Sequence, residues 1–331
     1  MSNKKGNNNT VNNAGNNNQA NSGRIIPFYA KRKIFFAISL VIMLVGIIAV
    51  FVNGVSLDIQ FKGGALLKYT YTGTIDENVA GDIINKVLDR PVTTQLTTDL
   101  ASGDQRLIFN IAGKSGVDAK DQQTFDAKLK EAFPDNNLVL SESSMVEAFF
   151  GQKFLRRGIL SIALASILVL VYVWIRFKMM GGLAAGVMAV VALIHDVLVV
   201  FFTCVIFKIP IGDNFVAVAL SIIGYSINDT IVIYDRIREN SKTFLGLPVE
   251  TITDLSISQS MMRSVMTNFA VMISISMVFI LATTNGIDSM QSFALPMAIG
   301  TISGCYSTIC IAGPLWVMWK KRKGEATLFS K

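Results

Sequence analysis

The chain has 331 residues, of which 51% are hydrophobic and 16% charged, with a mean hydropathy of +0.49. A soluble domain carries about a quarter charged residues, so this composition excludes an ordinary water-soluble protein. The net charge of +7 does not read as a nucleic-acid signature, because Lys31-Arg32-Lys33 and Lys320-Lys321-Arg322-Lys323 sit beside apolar runs, where basic residues orient a membrane protein. The cysteines Cys204, Cys305 and Cys310 all fall inside apolar runs, so neither a disulfide framework nor a metal cluster is expected.

Residues 1–23 form an Asn-, Gly- and Ser-rich tail too polar to bury a core, and disorder is expected there. With the basic flank the tail makes a first region, 1–33. A span needs roughly 20 apolar residues, and six stretches supply them: 34–54, 158–177, 181–204, 214–234, 264–284 and 293–318. The first run is too long for a signal-peptide core and no small-x-small site follows it, so it is expected to remain as a span. Lys and Arg concentrate before the first span, at Arg176 and Lys178, through a loop from Asp235 to Arg263, and in a basic tail at 320–331. Both termini are therefore expected on the cytoplasmic side. The remaining spans occupy 154–319.

The long segment 55–153 between the first two spans reads as a small extracytoplasmic α+β domain. A strand over Leu66–Thr72 precedes a helix capped by Thr74 or Asp76, with Val79, Ile83, Ile84, Val87 and Leu88 on one face. Strands at 92–98 and 105–111 flank the turn Ser102-Gly103-Asp104. A helix at 118–132 carries Phe125, Leu129 and Phe133 and stops at Pro134; a last strand covers 137–145. The order β-α-β-β-α-β is ferredoxin-like.

Polar residues inside the spans carry the functional expectation, since an ionisable group at a helix centre costs roughly 2.5–3.5 kcal/mol on insertion scales. Asp229 lies in the fourth span, about 9 Å inside the Asp235 boundary at 1.5 Å per residue, with Ser226, Asn228 and Thr230 as polar neighbours. Arg263 is expected to open the fifth span from the same side, within reach of an ion pair with Asp229. Such a pair, made when the carboxyl is ionised and lost when it is protonated, is a proton switch; the alternative is a static salt bridge that fixes helix packing. His195 and Asp196 are a second ionisable site in the third span. His195 is either a relay or a neutral hydrogen-bonded residue, and Asp196 is the stronger candidate of the two. At the mouth of the first span stands Asp58-Ile59-Gln60-Phe61-Lys62-Gly63-Gly64, whose glycines permit a tight turn. No Gly-rich loop followed by Lys-Ser/Thr occurs, so a nucleotide cofactor is not expected, and transport work must draw on an ion gradient or a partner. Gly182/Gly186 and Gly300/Gly304 have the spacing of close helix packing.

Together, the Asp58–Gly64 motif, His195-Asp196-Val197, and Ile223-Gly224-Tyr225-Ser226-Ile227-Asn228-Asp229-Thr230 running into Tyr234-Asp235-Arg236-Ile237-Arg238-Glu239-Asn240 resemble the SecF branch of the SecD/SecF family, over about 25–320. The resemblance implies an RND-superfamily-like helical fold and a non-enzymatic subunit of the Sec preprotein translocase. It implies partnership with SecD, the SecYEG channel, YajC and unfolded preprotein, and use of the proton or sodium motive force. It also implies that Asp229 and Arg263 lie on the proton pathway. A passive assembly subunit is the alternative; an exporter of lipids or drugs would carry about twice the spans. The family usually continues after the Arg with Thr-Ser-x-Thr-Thr. Here Thr267-Asn268-Phe269-Ala270 supplies fewer hydroxyls, making the fifth span a weaker candidate for lining the same wet pathway.

Overall fold

Membrane-length apolar runs become six helices long and apolar enough to cross a bilayer, arranged with a small sheet domain inserted after the first. The computed structural model describes residues 25–58, 61, 64–89, 92–98, 105–112, 117–146, 148–284 and 288–325. The Asn-rich tail, Gly63 and the turn at 102–104 lie outside the described residues.

Helix α1 (Arg32–Asn53) is apolar between its ends except for Ser39, and Gly46 is its one buried residue. A Cβ at Gly46 would lie 2.2 Å from the Phe202 ring, so the absence of a side chain lets α1 lie against the third span. The inserted domain follows as β1 (Gly64–Tyr71), α2 (Glu77–Leu88), β2 (Val92–Thr98), β3 (Gln105–Ala112), α3 (Ala119–Ala132) and β4 (Val139–Val146). Of the two expected caps for α2, Asp76 serves, its side chain accepting from the Asn78 N–H at 2.9 Å. The strands form one antiparallel sheet in the order β2-β3-β1-β4. Period-two alternation puts Ala65, Leu67, Tyr69 and Tyr71 on one face, where Ile84 of α2 and Phe125 and Leu129 of α3 complete the core.

The other spans are α4 (Ala148–Arg176), α5 (Gly182–Ile206), α6 (Asp213–Thr243), α7 (Val249–Thr284), and a last one built from α8 (Asp288–Ser307), a π-helical turn at Thr308–Ala312 and α9 (Gly313–Arg322). Two expectations change here. The loop expected from Asp235 to Arg263 is helix except at 244–248, because α6 and α7 continue past their apolar stretches. Arg263 consequently lies within α7 and does not open it. These helices persist without an apolar run because Ile237, Ile252, Leu255 and Ile257 keep an inward-facing stripe buried.

The domain is tied to the bundle through the segment after α1. Asp58 N–H donates to Ile211 O at 3.0 Å and Ile211 N–H to Ser56 O at 2.9 Å, while Phe61 buries itself against Cys204 and Ile211. Gly64, at φ +142, starts β1 in a conformation that disfavours side chains. A cavity of about 910 Å³ lies between the β2 edge of the sheet, at Thr94–Leu96 with Ile108, and the bundle end at Lys208–Ile211.

Candidate functional site

Two buried carboxylates lie along the inner face where α5, α6 and the last span meet. Asp196 of α5 is fully buried and receives three hydroxyls: Ser226 and Ser307 donate to Oδ2 at 2.8 and 2.6 Å, and Ser303 to Oδ1 at 2.8 Å. His195 Nδ1 lies 3.2 Å from Oδ1. Such donors offset part of the cost of taking a carboxyl group out of water. Close approach makes the cluster: Cβ atoms built at Gly300 would come within 2.9 Å of Val200 and Ile222, and one at Gly304 within 3.3 Å of Ser226. Gly182 and Gly186 play the same part against the α4 backbone, at 2.3 Å from Trp174 O and 3.1 Å from Leu170 O.

One turn along α6 from Ser226, Thr230 donates to Ser226 O at 2.9 Å and meets Thr308 Oγ1 at 3.2 Å. Thr308 opens the π turn, where the changed backbone register re-aims side chains. Asp229, 7% exposed, accepts from Asn268 Nδ2 at 2.7 Å; Asn268 also donates to Ser264 O at 2.8 Å. The expected Asp229–Arg263 ion pair does not form. Arg263 is on the facing helix, near enough for its charge to be felt at Asp229, but its side chain is exposed. The physical reason is register: Asn268 is the α7 residue level with Asp229, and Arg263 lies more than one turn nearer the α7 start. Asn268 was read from sequence only as a lost hydroxyl, yet it supplies the direct donor. Asn228 points the other way and is exposed together with Tyr225, whereas Ser226 and Thr230 face inward.

At the end of the bundle away from the sheet, Asp235, Arg236, Arg238, Glu239 and Arg263 line a cavity of about 570 Å³. Arg176 binds both Asp235 oxygens, at 2.9 and 3.1 Å, and Arg238 reaches Oδ1 at 2.9 Å. Arg236 bonds Gln259 and Glu239 at 2.6 Å each, and buried Asn240 donates to Ser256 and Gln259 at 2.8 and 2.9 Å. These contacts fix the α6 end on α7 and leave the cavity walls polar. At the opposite end, Asp58, Phe61 and Gly64 join the domain to the bundle, far from either carboxylate along the helices. Ser303, Ser307 and Asn268 are site residues that sequence reasoning missed; serines four apart in the last span, in step with Gly300 and Gly304, were the available signal. Among the described residues no group of three or more His, Cys, Asp or Glu is placed to hold a metal.

Six membrane-length helices around buried carboxylates, with a sheet domain after the first, define a multi-pass membrane protein with a polar axis. A family model described as protein export membrane protein SecD/SecF, C-terminal, matches residues 124–322. The protein translocase subunit SecF of Petrotoga mobilis is 32% identical over 90% of this chain and 97% of its own. The SecDF subunit of Bacillus subtilis is 33% identical over 89% of this chain and 38% of its own, so the chain spans well under half of the fused relatives. A crystal structure of a Thermus SecDF, titled a translocon-associated membrane protein, shares the fold at a TM-score of 0.75 and 24% identity, over 91% of this chain and 40% of that one. The chain belongs to the SecD/SecF family.

Proposed function

We propose that this chain works in Sec protein translocation as a SecF-type subunit that couples an ion gradient, of protons or sodium, to late export of preprotein. The observation that carries the coupling is Asp229: a carboxylate buried at bundle depth, held by one uncharged amide, with the Arg263 charge close but unpaired. A carboxylate tied by a single neutral donor can gain and lose a proton at lower cost than one locked in an ion pair. The polar cavity at Arg263 gives access from one membrane face, and two buried polar atoms, Ser264 Oγ and His195 Nε2, have no hydrogen-bond partner among the described residues. They support a polar route along the bundle axis through Asp229 and Asp196.

Several finer readings belong with this one. The antiparallel order β2-β3-β1-β4, with both helices on one face, supports a ferredoxin-like domain. Basic residues gathered at the far end of the bundle support cytoplasmic termini in a bacterial inner membrane, with the domain extracytoplasmic. Relatives in which SecD and SecF are one polypeptide support SecD as partner. The exposed positions Gly224, Tyr225 and Asn228 on α6 are where SecD docks in this reading. SecYEG, YajC and unfolded preprotein follow as the larger assembly, and swinging of the domain over the cavity beneath it is the working stroke.

The test is Asp229→Asn in cells: pulse-labelled preprotein should stall late in export while the variant still co-purifies with SecD. Normal export by that variant would refute the coupling role. A second reading, a passive assembly subunit, draws on the donor-saturated Asp196, which is what a purely structural node requires. It predicts instead that Asp229→Asn weakens the association with SecD.

A further inference from the structure

At the bundle end away from the sheet, the termini of α4 and α9 and the start of α5 enclose a cavity of about 360 Å³. One end of it is cationic: Lys178, Lys320 and Lys323 face it, with Glu325 the only acid in its lining among the described residues. Lys320 is buried and ion-paired to Glu325, which fixes its ammonium in the wall. Lys178 and Lys323 form no ion pair among the described residues, so the cavity keeps about two uncompensated positive charges. The floor is open because Gly181, at φ +79, has no side chain; a Cβ there would stand 3.0 Å from Lys320 Nζ.

The other end is apolar, formed by half-exposed Leu183 and Val187 on the outer surface of α5. Trp174 and Trp319, both part exposed, flank the boundary, and Lys323 Nζ lies 5.5 Å from the Trp319 ring centroid. Exposed tryptophans at helix ends settle at headgroup level, with their rings toward the acyl chains and their N–H groups toward water. A basic end, a tryptophan collar and an apolar wall in one cavity reproduce the polarity gradient of a single anionic lipid. Basic pockets between helices at a membrane surface are the setting in which such headgroups bind.

We propose that this cavity is a binding site for one anionic phospholipid, with the phosphodiester among Lys178, Lys320 and Lys323 and an acyl chain along Leu183 and Val187. A free phosphate would use the lysines but leave the apolar wall without a role. Binding here would fasten α9 to the α4–α5 turn, independently of any coupling role for Asp229.

The full chain in phosphatidylcholine vesicles, with acyl-brominated phosphatidylglycerol or acyl-brominated phosphatidylcholine added, tests this through quenching of Trp174 and Trp319. Brominated phosphatidylglycerol should be preferred by about fivefold or more, the factor that one lysine near a membrane surface supplies. The Lys178→Gln/Lys323→Gln pair, both exposed positions, should bring the two lipids close to parity, and Lys178→Arg/Lys323→Arg should retain the preference. Equal quenching by both lipids in the unaltered chain would overturn the proposal, as would a preference that survives the glutamine pair. Loss of the preference in millimolar inorganic phosphate at constant ionic strength would reassign the site to a small anion.

Discussion

Asp196 accepts hydrogen bonds from three serine hydroxyls, Asp229 from a single amide, although both carboxylates lie inside the same bundle. Asp196→Ala would leave Ser226 and Ser303 without their acceptor and Ser307 with only Gly304 O. It should destabilise the protein by about 1–3 kcal/mol, the cost of stranding buried polar groups, seen as a lower melting temperature in detergent. Asp196→Asn, which keeps one acceptor oxygen, should lose less. Asn268→Ala leaves Asp229 without its direct donor while keeping the helix. Transport should fall several-fold, with thermal stability changed by about 0.6–1.7 kcal/mol at most, the range measured for interhelical hydrogen bonds; melting and export assays on one preparation check both halves. Asp229 was legible in the sequence because an acid in an apolar run carries an insertion cost that demands a reason. Asn268 was not, since an amide in a span announces nothing until its register against the facing helix is known. For the same reason Arg263 was expected in an ion pair it does not make.

The apolar runs located all six spans, because lipid imposes both length and composition on a crossing helix. They could not locate the ends of α6 and α7, which continue beyond the apolar stretch as amphipathic helices packed on the bundle. Nor does hydropathy distinguish a helix face turned to lipid from one turned to a neighbour, both being apolar. Small residues carry that information. Gly46 is the clearest case, with α1 lying against the Phe202 ring at its position. Gly46→Ala should cost about 1–3 kcal/mol by overpacking, read as a lowered melting temperature, and Phe202→Ala in the same chain should recover part of it. Additive losses in the double variant would show that the two positions do not meet. The π turn at Thr308–Ala312 has no sequence signal of comparable strength, yet it sets where Thr308 reaches Thr230.

Across the whole molecule, the exposed α6 positions Gly224, Tyr225 and Asn228 are the proposed seat of SecD. Nothing comes within 4 Å of a Cβ built on Gly224, the first of these positions. Gly224→Leu should therefore leave the melting temperature of the isolated chain within about 0.5 kcal/mol-equivalent of its starting value, as surface changes do, while sharply reducing co-purification of SecD. Unimpaired co-purification would move the docking face elsewhere.

The most direct measurement reconstitutes the chain with SecD and the Sec channel in vesicles and follows preprotein movement with and without an imposed proton or sodium gradient. The unaltered protein should move preprotein faster under one of the two gradients, and Asp229→Asn should run at the gradient-free rate in both with the complex intact. An Asp229→Asn complex that responds to the gradient as the unaltered protein does would contradict the account.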